Sequence, residues 1–144
     1  MASASFRIKV DNSEKIKKLV RSALSRAIRK TAFAIQEQAA TNVQTLGLID
    51  TGAMRSSIYV ETLDENGRPS AEAGARTQNP DARFARKGKS PNNDTDARVA
   101  VATEYAIYHE MGAPNAGIPA RPFLRPAADQ HRGTLKKLLK EEIR

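Results

Sequence analysis

The first third of the chain places small and aliphatic residues at helical spacing for more than thirty positions. Ile16, Leu19, Val20, Ala23, Leu24, Ala27 and Ile28 fall on one stripe at intervals of three and four, and Ala32, Ile35, Ala39, Val43 and Leu46 extend it. Asp11 stands three residues before Glu14, the spacing of a capping box that opens a helix, and Gly47 supplies the stop. About 33 residues of helix span roughly 50 Å, more than a small domain needs to cover its own sheet. The pattern therefore predicts a helix that packs against a neighbouring subunit as well as against its own chain.

The opposite face of that helix is basic. It carries Lys15, Lys17, Lys18, Arg21, Arg26, Arg29 and Lys30 against Glu14 and Glu37. A coiled coil interleaves both signs along its flanks, and this face does not. It reads either as a surface visited by DNA or an acidic partner, or as plain solvent exposure.

With 144 residues the chain fits a single domain over 1–144, and with 5% aromatic residues and no tryptophan its core has to be aliphatic and alanine-rich. Phe6, Ile8 and Val10 alternate with polar residues as in a half-buried strand. Ser57–Leu63 is β-branched and alternating, Asn66-Gly67 is a turn signal, and Ser70–Ala75 completes a hairpin. Arg98–Thr103 reads as another strand. Glu104–Met111 reads as a short helix closed by Gly112. Four prolines between Pro114 and Pro126 predict an extended segment, pinned by Phe123 and Leu124. A final helix is expected from about Ala127 to Ile143, with His131, Leu135, Leu138, Leu139 and Glu142 on one face. The fold class is α+β: a long N-terminal helix and a C-terminal helix packed on a small, mainly antiparallel sheet. A long loop over about 76–97 lacks periodicity and is expected to order on a partner.

Composition closes off several chemistries. Zero cysteines exclude disulfides, thiolate zinc sites and cysteine nucleophiles, and the two histidines, His109 and His131, make no histidine-rich site. No apolar run approaches the ~18 residues of a membrane span, and the first residues do not resemble a signal peptide; the expectation is a protein with no membrane partner, kept in the cell or in an assembly built there. Gly88-Lys89-Ser90 resembles the end of a phosphate loop, but Arg83 stands where the upstream glycine belongs and Pro91 forbids the helix that should follow. Asp94 and Asp96 are more simply solvated loop aspartates than cation ligands. Glu104 and Glu110, six residues apart, lie on different faces of a helix and make a poor acid/base pair. The sequence thus shows no catalytic residue, no metal ligand set and no cofactor site.

Charge is distributed unevenly. Net charge is +8, with a surplus of six basic side chains over 1–49, a deficit of two over 50–112 and a surplus of four over 113–144. Two basic ends suggest a polyanionic neighbour, nucleic acid or an acidic protein surface, although a solvated face that maintains solubility explains them equally well. Arg83, Arg86, Lys87 and Lys89 form a basic knot in the long loop, and with Lys15, Lys18 and Arg29 they are the candidates for facing a polyanion or partner.

Three segments remain that suit joints better than chemistry: Ile49-Asp50-Thr51-Gly52-Ala53-Met54-Arg55-Ser56-Ser57-Ile58, Glu104-Tyr105-Ala106-Ile107-Tyr108-His109-Glu110-Met111-Gly112 and Ala120-Arg121-Pro122-Phe123-Leu124-Arg125-Pro126-Ala127. In this order and spacing the chain resembles the head–tail joining (neck, or tail completion) proteins of tailed bacteriophages. Ala113 departs from the threonine usual after the glycine of the second segment. The resemblance implies a non-enzymatic virion protein at the head–tail junction, assembled in the host cytoplasm as a homo-oligomeric ring, a hexamer or dodecamer, around the DNA channel. Its implied partners are head-closure or connector proteins, tail tube or tail terminator proteins and, non-specifically, packaged DNA. On that basis Asp50 and Thr51 would cap the turn after the long helix, with Gly52 giving backbone freedom. Arg55 and Glu110 would form an ion pair between segments. Tyr105 and Gly112 belong to the second segment, and Arg121 and Arg125 would clamp carboxylates or carbonyls while Phe123 is buried. The competing expectation is a small basic DNA-binding protein acting as monomer or dimer.

Overall fold

The computed structural model describes residues 10–48, 52–63, 66–73 and 90–144. Helix α1 (Ser13–Thr45) runs 33 residues without a break. It ends in a Schellman motif: Gly47 takes φ +66°, its N–H donates to the Gln44 carbonyl, and the Leu48 N–H donates to Val43 at 3.0 Å. Only a residue tolerant of positive φ closes this motif without strain, and the turn folds Leu48 back into the same core as Val43. The start of α1 differs from a capping box. Asn12 is the cap residue and makes no side-chain cap bond, while Asp11 Oδ1 accepts the Ser13 N–H at 2.8 Å.

After α1 come a single turn, α2 (Ala53–Ser56), and the strands β1 (Ile58–Leu63), β2 (Pro69–Ala73) and β3 (Arg98–Val101). The sheet is antiparallel throughout, in the order β2-β1-β3. The middle strand β1 is buried on both faces. Ile58 joins the main core and its carbonyl accepts from Gln36 Nε2 of α1 at 2.8 Å. On the other face lie Tyr59 and Glu61, with Arg98 directly across from Glu61 in the β3 register. Burial pushes the Tyr59 phenol up, and the Glu61 carboxylate adds to the shift against the opposing effect of Arg98.

The expected helix after β3 is α3 (Ala106–Met111), capped by Gly112. The proline-rich stretch is not extended throughout. Pro114 opens a 3-10 turn over Pro114–Ala116, and helix α4 (Leu124–Gln130) contains Pro126 in its first turn. Proline is tolerated there because first-turn N–H groups have no intrahelical acceptor to lose. The expected C-terminal helix is split into α4 and α5 (Thr134–Ile143) by residues 131–133. The break falls beside Gly133, the poorest helix former in this stretch after proline. Asp50, Thr51, Phe6 and Ile8 and residues 76–89 of the expected 76–97 loop lie outside the described residues. Val10 is exposed and in no strand, and Asp94, in the described part of that loop, pairs with Arg21 of α1.

The main core unites Ala39, Val43, Leu48, Met54, Ile58, Ala106, Phe123 and Ala127. Alanines on α1 let its neighbours approach closely, and Ala27 and Ala39 are fully buried. Helix α5 is held differently, with no fully buried residue of its own. Its Glu142 accepts from Arg26 Nε at 2.6 Å and pairs with Lys30 as well.

Candidate assembly site

The three segments singled out in the sequence meet in one joint at the C-terminal half of α1. Its centre is Glu110. The α3 backbone points this side chain at the start of α4, whose own cap residue, Phe123, makes no side-chain cap bond. Glu110 Oε2 accepts the N–H groups of Phe123 and Leu124 at 2.8 and 2.9 Å, and Oε1 accepts that of Arg125 at 2.9 Å. A carboxylate at this position satisfies three otherwise orphaned donors and complements the positive end of α4. The expected Arg55–Glu110 ion pair is not formed. Arg55 lies half-buried in α2, and both Glu110 oxygens are engaged by the α4 backbone.

Backbone contacts tighten the same joint. The Arg121 N–H donates to the His109 carbonyl at 2.7 Å, and the Ala113 N–H donates to Ile118 at 2.9 Å across an isolated bridge. Gly112 has φ +76°, and a Cβ there would lie 2.9 Å from the Ala120 nitrogen. Two independent constraints, the positive φ and backbone proximity, therefore require glycine. From the third segment Phe123 enters the core at 1% exposure, and its carbonyl accepts from Asn42 Nδ2 of α1 at 2.9 Å. From the first segment Met54 enters the same core, and Gly52 begins α2 with φ +74°.

The remaining candidates sit around this joint. The Arg121 and Arg125 side chains are exposed and make no hydrogen bond or ion pair among the described residues, so the contribution of these residues to the joint is their N–H groups. Tyr105 precedes α3, is exposed, and lies edge-on to the His109 ring at 6.1 Å. Lys15 and Lys18 are exposed on the first turns of α1, while Arg29 lies over the Phe33 ring at 5.7 Å. Arg83, Arg86, Lys87 and Lys89 are outside the described residues, as are Asp50 and Thr51.

The basic face of α1 is less positive than its composition suggests. Arg21 grips Asp94 through Nε and Nη2 at 2.7–3.0 Å, and the bond to the guanidinium holds the Asp94 carboxyl below its usual range. Lys30, with Arg26 beside it, does the same to Glu142. Asp94, weighed as a cation ligand, is thus an ion-pair partner. Sequence reasoning also missed Gln36 and Asn42. Their signal was available: amides set beside an apolar helical stripe need buried acceptors.

A groove of about 570 Å³ opens between α1, β3, α4 and α5, lined mainly by Ile28, Ala32, Ile35, Val99, Leu124 and Leu135. Its lining is mainly apolar, with Thr31, Glu110 and Arg125 as its polar members. Among the described residues no group of three histidines or carboxylates is placed to hold a metal ion, and no helix is long and apolar enough to cross a membrane. What the fold leaves uncovered is apolar surface: Ile16, Leu19 and Val20 at the start of α1, and Ile107, Tyr108 and Met111 on α3. Comparison with protein-family models, curated proteins and solved structures finds no match.

Proposed function

We propose that this chain is a non-catalytic structural subunit of a tailed-bacteriophage neck, a head–tail joining or tail completion protein that assembles as a ring around the DNA channel. The observation that carries the reading is the Glu110 joint. Segments that resemble the family in sequence are interlocked here by backbone capping, a glycine-dependent close approach and shared core residues. Such an arrangement suits a rigid scaffold whose segments hold one another in register. A basic surface without an aromatic stacking platform suits phosphate attraction that carries no sequence information. Copies of the same chain, head-closure or connector proteins and tail tube or terminator proteins are the partners, and the virion neck is the location.

Light scattering and negative-stain microscopy of the purified protein, alone and with tail tubes, test this. Rings in solution or on tube ends are expected, and their mass gives the copy number. The second reading, a basic DNA-binding protein, draws on the exposed Lys15 and Lys18, which have no carboxylate within ion-pair distance among the described residues. A monomer or dimer that ignores tubes and binds duplex DNA in a steeply salt-dependent manner would replace the ring with that reading.

A further inference from the structure

The first ten residues of α1, Ser13 to Ser22, contain no buried position. The apolar stripe nevertheless continues through them without interruption. Ile16 is 58% exposed, Leu19 62% and Val20 40%, on the face that becomes core at Ala23 and Ala27. A second uncovered patch lies on α3, where Ile107 is 59% exposed, Tyr108 53% and Met111 61%, with Ile118 beside them. Isolated exposed apolar side chains are ordinary, but two clusters of large ones on a domain this small mark contact surfaces.

One chain does not bring the two patches together. Helix α3 packs on a core whose α1 members are Ile35, Ala39, Ala40 and Val43, and the rise from Leu19 to Ile35 alone is about 24 Å. The two patches also differ in charge: residues 13–20 carry three lysines against one glutamate, net +2, whereas α3 itself carries no lysine or arginine. Tyr105 and Tyr108 also present exposed rings over which lysine ammonium groups are attracted.

We infer that the first turns of α1 dock, through Ile16, Leu19 and Val20, on the Tyr108–Met111 face of α3 in a second copy of this chain. This contact joins unlike surfaces. It is therefore heterologous, leaves one free patch of each kind on every dimer, and propagates until rotation closes a ring. The inference rests on the ring reading and deepens it by assigning the subunit interface.

The chain lacks cysteine, which makes the test direct. Leu19→Cys and Met111→Cys are prepared singly and together, oxidised at a concentration where wild type sediments as an oligomer, and separated without reductant. The double variant is expected to give a ladder ending at one discrete size, and the mixed single variants a heterodimer with no larger product. Leu19→Asp and Met111→Asp are each expected to abolish oligomers while circular dichroism stays native, because both sites are exposed. Mixed together, they should form a one-to-one dimer through the remaining intact pair of surfaces. Wild type that oligomerises while the double cysteine variant gives no ladder, or while both aspartate variants still oligomerise, would overturn this interface and leave the ring reading standing. Wild type that stays monomeric at all concentrations and on tail tubes would overturn both.

Discussion

At the residue scale, Glu110 joins two elements fourteen residues apart by accepting backbone donors of one with the side chain of the other. Loss of a helix cap costs about 1 kcal/mol, and partly buried donors left without an acceptor add to it. Glu110→Ala is accordingly expected to destabilise by about 2 kcal/mol in urea unfolding, with an unchanged m-value. A double-mutant cycle with Arg55→Ala should give a coupling energy within about 0.5 kcal/mol of zero; coupling well above about 1 kcal/mol would restore the direct ion pair. Gly112→Ala forces a Cβ against the Ala120 backbone at positive φ, and an expected loss of about 1–3 kcal/mol is measurable by the same titration. Gly133 is the opposite case. It has φ −81°, and a Cβ there would meet nothing within 4 Å, so Gly133→Ala should stabilise by about 0.4–1 kcal/mol.

At the element scale, α5 is attached by half-buried leucines and by one carboxylate held between two cations. The Lys30 and Arg26 bonds hold the Glu142 pKa below its ordinary value of 4.5. A carboxyl depressed in the folded state contributes stability that is fully present above its unfolded pKa and is lost as pH falls through the folded one. Docking of α5 should therefore be complete at neutral pH and weaken below about pH 4.5, earlier than the sheet unfolds. Amide hydrogen exchange across a pH series reads this as loss of protection in Thr134–Ile143 while Ile58–Leu63 stays protected. Glu142→Gln should show the same loss already at pH 7, and a uniform response of both elements would contradict a separately attached α5. Much at this scale was legible in advance. The 33-residue α1, its stop at Gly47, the hairpin and the short helix before Gly112 follow from local periodicity and turn chemistry. The divided C-terminal helix was not legible, because Leu135, Leu138 and Leu139 keep helical spacing with His131 straight across the break.

At the scale of the whole molecule, a domain with alanine-rich contacts and large apolar residues outside its core would gain stability if copies covered those residues. If copies assemble, Tm should rise with protein concentration, since a partner that binds only the folded state stabilises it by mass action. Scanning calorimetry over a hundredfold concentration range checks this, and a Tm independent of concentration would argue for a monomer. The same assembly should be only modestly salt-sensitive if apolar contact dominates. If Lys15 and Lys18 instead hold DNA, as the second reading has it, that retention should weaken steeply with salt.

The sequence by itself determined the α+β class, the long helix and the residues Phe123 and Gly112 as fixed points, because periodicity, chain punctuation and apolar character act locally. Tertiary structure alone decided which partner each charge and amide takes. Glu110 turned to the α4 backbone, Asn42 to the Phe123 carbonyl and Glu142 to Arg26 across 116 positions of sequence. It also decided where the apolar stripe of α1 leaves the core, between Val20 and Ala23, because burial depends on what packs opposite and no spacing rule within a helix contains that information.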